Sequence, residues 1–171
     1  MKLSTGKVAF PLHFDNGDVV NIMINPHDKG LQTRIKGFEN AIHKRMEKIK
    51  LDKYKDIFAE GIDASKLTFD NLMQMSEEEI QKITQQSDAI AEIDEALEKE
   101  FCEEIDNIFD SDVSSKAFKY VPPLAIVENE NGEGEIYILI VLRALALEIQ
   151  KYGNKMNNAT NKYVAKYPKN V

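Results

Sequence analysis

The chain has 171 residues, 43% hydrophobic and 30% charged, with a formal net charge of −7, a balance that suits one domain with a modest core plus extended helix. No apolar run approaches the roughly 20 residues of a membrane span, and Met1-Lys2-Leu3-Ser4-Thr5-Gly6 is too polar to begin a signal peptide. The one cysteine, Cys102, permits no internal disulfide, so a soluble, cytoplasmic protein without a membrane partner is expected.

Charge is unevenly spread. Lys29 to Lys55 holds nine Lys and Arg against Glu39, Glu47 and Asp52, whereas Glu77 to Asp112 holds fourteen acids against Lys82 and Lys99. After Glu148 come five lysines and no acid. This predicts basic helices lying against or near an acidic one, their long stems covering apolar surface. A chain of net negative charge is not expected to bind nucleic acid.

Residues 1–25 predict a β-hairpin. Val8, Phe10, Leu12 and Phe14 alternate with smaller or polar residues, Asp15-Asn16-Gly17-Asp18 turns, and Val20, Ile22 and Ile24 resume the alternation. A two-residue Asn-Gly turn would set Leu12 opposite Asn21. A three-residue turn with Gly17 left-handed sets Leu12 opposite Val20, Phe10 opposite Ile22 and Val8 opposite Ile24, and is the predicted register. Pro11 cannot donate to a ladder, so its amide position must face outward or toward an edge. Such a ribbon is marginal alone and needs a helix or another subunit against its apolar face.

Residues 26–60 predict a basic helix, opened by Asn25-Pro26 with Asp28 as candidate cap. Leu31, Ile35, Phe38, Ile42, Met46 and Ile49 form its buried stripe, a natural cover for the hairpin. Leu51 to Phe58 continues helically and Gly61 marks a break. Residues 61–75 form a packed connector, in which Leu67, Phe69, Leu72, Met73 and Met75 suggest one short helical turn.

Residues 76–109 predict a long acidic helix. Ser76 and Glu79 make a capping box, and Ile80, Ile83, Ile90, Ile93, Leu97, Phe101, Ile105 and Ile108 fall on one face. At about 1.5 Å per residue it would be about 50 Å long, against a radius of gyration of about 15 to 16 Å for a compact chain of this length. It must kink, protrude or meet a second chain.

Residues 110–134 predict a loop and short helix. The acids and hydroxyls of Asp110-Ser111-Asp112-Val113-Ser114-Ser115 can cap a helix carrying Ala117, Phe118 and Tyr120, which Pro122-Pro123 stops. Leu124 to Glu128 is extended and Asn129 to Gly134 turns. Residues 135–167 predict the C-terminal helix. Ile136 to Leu142 is β-branched enough for a strand, but Tyr137, Val141, Leu145, Ile149, Tyr152, Met156, Ala159 and Tyr163 keep helical spacing, and length decides for a helix with a flexible point at Gly153. No internal repeat stands out. The expected fold is α+β, predominantly α: a single domain, 1–171, with an N-terminal β-hairpin followed by three main helices, the central one long and acidic.

No catalytic or metal constellation assembles. His13 lies in a strand, His27 near a helix start and His43 on a helix, so no pair has ligand spacing. Asp110-Ser111-Asp112-Val113-Ser114 begins like a calcium loop, but Ser115 stands where glycine is needed and Val121 where a bidentate glutamate is needed. Cys102 sits among Glu98, Glu103 and Glu104, whose negative field disfavours a thiolate. The carboxylates of the long helix lack the cleft and buried partner of a glycosidase pair, and Gly132-Glu133-Gly134 lacks the rest of a phosphate-binding glycine motif. A non-enzymatic protein without metal or cofactor is expected. Self-association is expected through the hairpin edge and the acidic helix, with Phe10, Leu12, Ile22, Ile24 and Phe101 as candidate partner-binding residues and oppositely charged segments pairing head to tail.

The order of elements resembles a known family. The hairpin ending in Asn25-Pro26, the basic helix, the acidic helix closing in Glu104-Ile105-Asp106-Asn107-Ile108-Phe109, then Asp112-Val113-Ser114-Ser115-Lys116-Ala117-Phe118 and Ile149-Gln150-Lys151-Tyr152-Gly153, is similar to tail assembly chaperones of long-tailed phages and prophages of Gram-positive bacteria. The resemblance implies a non-enzymatic, helix-rich protein of the bacterial cytoplasm that binds the tape-measure protein and brings tail-tube proteins onto it. It also implies a ribosomal slip near Pro168-Lys169-Asn170 that yields a longer minor product. Two other classes fit the pattern: a structural tail or head-completion component, and a host helical protein-binding module reading a helical peptide.

Overall fold

The computed structural model describes residues 5–58, 75–129 and 131–166, with side chains described for 5–48, 75–129 and 131–162. The architecture is α+β and predominantly helical: β1 (Val8–His13), β2 (Val19–Ile24), α1 (Leu31–Phe58), α2 (Glu77–Phe109), α3 (Val113–Ala117), β3 (Ile126–Glu128), β4 (Gly134–Ile136) and α4 (Tyr137–Lys166). The chain divides into two compact units, residues 1–39 with 102–171, and residues 40–101. The expected connector at 61–74, the break at Gly61 and the Ile49 and Tyr163 side chains lie outside the described residues, as does Pro168-Lys169-Asn170.

In the first unit β1 and β2 pair antiparallel in the predicted register, with Leu12 opposite Val20, Phe10 opposite Ile22 and Val8 opposite Ile24. The turn that sets it has the Gly17 amide donating to the Phe14 carbonyl at 3.1 Å and the Phe14 amide to the Asp18 carbonyl at 2.9 Å, with Gly17 at φ +88°. This is a type I turn closed by a glycine bulge. Since the pair Phe14 and Asp18 is hydrogen-bonded, Pro11 and Asn21 fall in a non-bonded pair. The imide of Pro11 therefore points outward at no cost to the ladder. On β2, the outward carbonyl of Asn21 accepts the Lys116 ammonium at 3.1 Å. The elements running closest to the ribbon are α4 beside β1 and α3 beside β2.

The buried side of the ribbon is Phe10, Leu12, Ile22 and Ile24, and the same unit buries Leu31, Ile35 and Phe38 of α1, Ile105, Ile108 and Phe109 of α2, Val113 and Ala117 of α3, and Ile138, Leu142, Leu145 and Ile149 of α4. Phe10 meets the edge of Tyr152 with ring centroids 5.8 Å apart. Truncating one such core side chain costs about 2–5 kcal/mol.

α1 begins at Leu31 rather than at Pro26. Residues 25–30 fold as successive turns: the Asn25 Oδ1 accepts the His27 amide at 3.0 Å, and the Asp28 Oδ1 accepts the Gly30 amide at 2.9 Å. These bonds hold the chain out of helix until the Gly30 carbonyl takes the Arg34 amide at 3.0 Å. Leu51 to Phe58 is helical as expected.

α2 carries its capping box: the Ser76 amide donates to the Glu79 carboxylate at 2.9 Å and the Glu79 amide to Ser76 Oγ at 3.3 Å. The Ser76 amide, joined by the Ser76 hydroxyl at 2.9 Å, donates to the Glu79 carboxylate and holds it below its ordinary range. At its other end the Ser111 amide donates to the Asp106 carbonyl at 3.1 Å and the Asp110 amide to that of Asn107 at 3.4 Å, with Asp110 left-handed at φ +48°. That is a Schellman closure with aspartate where glycine is usual, and Lys7 bonds both the Asp110 carbonyl and its carboxylate.

The acids and hydroxyls of residues 110–115 were expected to cap α3. The cap is instead Asp106, one turn back in α2, whose carboxylate takes the Ser114 amide at 2.7 Å and the Ser114 hydroxyl at 2.6 Å. Asp112 makes no cap bond and pairs with Lys116 at 3.0 Å, which lowers its carboxyl.

The expected extended segment holds β3 and the expected turn carries it onto β4, so that the two pair as a second hairpin. Its loop repeats the bonds of the first: the Gly132 amide donates to the Asn129 carbonyl at 3.0 Å, the Asn129 amide to the Glu133 carbonyl at 2.8 Å, and Gly132 lies at φ +78°. The helical reading of 137–142 holds, with Ile136 in β4 and α4 starting at Tyr137.

Candidate protein-binding surface

Within the first unit, α4 turns a face bearing Ile140, Ala144 and Leu147 into a hollow of about 540 Å³ walled by Leu12 and His13 of β1 and by Glu128 and Asn129. A second hollow of about 340 Å³ shares Leu12, His13, Glu128, Ile140 and Ala144 and extends to Asp15, Tyr120 and Tyr137. Together they form one apolar-floored groove. Leu147 stands 49% exposed at its margin, with about half its apolar surface in water.

The groove walls are held by specific bonds. The first amides of α4 have no side-chain cap; Tyr137 donates to the Ala125 carbonyl and Ile138 to the Pro123 carbonyl, each at 2.9 Å. Arg143 forks onto Glu135, Nη2 to Oε1 at 2.5 Å and Nη1 to Oε2 at 3.0 Å, while the Asn129 side-chain Nδ2 donates to Glu135 Oε2 at 3.3 Å. These bonds set the second hairpin on α4. At the other end Tyr120 meets Phe14 edge-on at 5.2 Å and its hydroxyl donates to Asp18. Lys119 donates to the Tyr120 oxygen at 2.7 Å, the main cause of its raised ammonium pKa. Burial, helped by the nearby Asp15 charge, raises the Tyr137 phenol.

The rim mixes signs: Arg143 and Lys151 stand with Glu128 and Glu148. An apolar floor with a polar rim and backbone-fixed walls can seat an apolar side chain of another polypeptide. Among the described residues no polar or charged side chain is buried, and no group of three or more His, Cys, Asp or Glu is placed to hold a metal ion. His13, His27 and His43 lie in β1, in the turns before α1 and in α1.

Of the residues expected to bind a partner, four lie away from the groove. Phe10, Leu12, Ile22, Ile24 and Phe101 are all buried, Leu12 the most accessible at 9%. Their apolar area is already covered within the chain, so they act as core; only Leu12 also lines the groove. Arg45 sits over the Phe101 ring at 5.6 Å from its centre and pairs with Glu100 at 3.0 Å. The residues passed over were Ile140, Ala144 and Leu147, which lie off the periodic stripe of α4. A large leucine outside that stripe was the available signal.

Among the described residues no helix is long and apolar enough to cross a membrane. No family model, curated protein or solved structure matches the chain.

Proposed function

We propose that this chain is a non-enzymatic tail assembly chaperone of a long-tailed phage or prophage, acting in the host cytoplasm by binding the tape-measure protein and assisting addition of tail-tube proteins. The order of sequence elements supports the family reading. The groove along α4 supports a binding role: it offers an apolar floor with Leu147 half exposed, and an apolar side chain from a partner helix would remove that surface from water. A gene for a very long coiled-coil protein should follow this one. Co-expression with that product should give a complex that co-purifies, and Leu147→Glu should weaken it at least about tenfold by placing a charge in the groove. Leu147 stands at the groove's margin, where the charge would face the bound side chain, and an unchanged complex with this variant would reject the groove. A tail that assembles normally without the gene would reject the chaperone reading.

A further inference from the structure

Beyond the groove, the face of α4 that carries Leu147 continues as a basic strip. Lys151, Lys155 and Lys162 line one side of the helix, and every residue from Asn154 to Lys162 is exposed. A helical segment with no covered face gains little from burial, so its sequence is free to serve a surface role. The matching surface is on α2, whose residues 77–101 hold nine acids against Lys82 and Lys99. Asp88, Glu92 and Glu95 are spaced four and three residues apart, lie on the side opposite the isoleucine stripe and are all exposed. The Lys151 ammonium also reaches Glu148 at 2.6 Å, a surface pair along one helix that contributes little.

We propose that the lysine face of α4 on one copy seats the acidic face of α2 on a second copy, giving a head-to-tail contact between copies of this chain. The two strips differ, so the contact is heterologous: each bound pair still offers one free strip of each sign, one on each copy, and growth proceeds until a ring closes or a row forms. The contact does not rest on the tape-measure reading, although Lys151 also stands on the rim of the groove. It also assigns the lysines to protein rather than to nucleic acid.

Two charge-reversed full-length chains test this. One carries Lys151→Glu, Lys155→Glu and Lys162→Glu; the other carries Asp88→Lys, Glu92→Lys and Glu95→Lys. All six positions are exposed, and circular dichroism checks that both fold. In sedimentation velocity at about 50 mM salt the unaltered chain should grow with concentration, and should revert toward monomer near 1 M salt, where screening falls to about 3 Å. Each variant alone should associate about tenfold or more weakly. Mixed one to one they should associate again, because the reversed α4 of one now faces the reversed α2 of the other. An unaltered chain that stays monomeric, a variant that associates like it, or a mixture that fails to recover would each overturn the proposal. So would a strip whose lysines are needed to retain poly-uridylate RNA while self-association ignores them.

Discussion

One isoleucine stripe runs the length of α2, and its two ends differ in cover. Leu97, Phe101, Ile105 and Ile108 are buried; Ile83, Ile90 and Ile93 are half-buried, and Ile80 is 43% exposed. The spacing is the same throughout. Periodicity reports that a face is apolar, while what covers it is a tertiary fact. The covered end is also tied down from outside the helix: Arg34 of α1 donates to the Ile108 carbonyl at 3.2 Å, Lys7 holds Asp110, and Asp106 caps α3. The other end has its own capping box.

The contrast is sharpest for core truncation. Ile105→Ala should cost about 2–5 kcal/mol and Ile83→Ala less than about 1 kcal/mol, read as the shift in urea midpoint at constant slope. Equal losses would mean that both ends are equally covered. Next comes the cap in the covered region. Asp106→Ala should cost about 1–2 kcal/mol by leaving the Ser114 amide and hydroxyl unpaired, while Asp112→Ala should cost clearly less. Reversal of that order would return the cap to Asp112. Removing the box at the open end, Ser76→Ala, should cost about 0.5–1 kcal/mol and appear as faster amide exchange over the first turns of α2 with the core amides unchanged. Uniformly faster exchange would show the two ends unfolding as one.

The smallest effect is on pH. Asp28 is held below its ordinary 3.8, first by its bond to Arg34, then by the Gly30 amide. A depressed carboxyl contributes stability that is present above its unfolded pKa and is lost as pH falls through the folded one. Stability should therefore decline below about pH 4 with a component that Asp28→Asn removes. An acid limb unchanged by that substitution would place the loss in other carboxylates.

The first hairpin was legible because three signals agreed: alternation in both strands, Gly17 where a positive φ is required, and only one register pairing large residues. The Ser76 and Glu79 box was legible because its bonds are local. The second hairpin shares the turn chemistry, Glu130-Asn131-Gly132-Glu133 echoing Asp15-Asn16-Gly17-Asp18, but strands of three residues are too short to show alternation, and Ile136 merges into the apolar run of α4. The start of α4 had no capping side chain to find, since its amides bond the carbonyls of Pro123 and Ala125. Asp106 caps α3 from the preceding helix, eight residues before Ser114, outside any local motif. The burial of Phe10 and Ile22 was not legible for a related reason: both are apolar enough for an interface or for a core, and their cover comes from elements distant in sequence.

Both margins of the first hairpin are closed to further strands, one by Pro11, which has no amide to offer, the other by Lys116 on the Asn21 carbonyl. Fibril-like stacking through this ribbon is thereby discouraged. A chain made in quantity could then gather and disperse through its side-chain surfaces as salt and partners change, without the trapped aggregates that backbone pairing leaves behind.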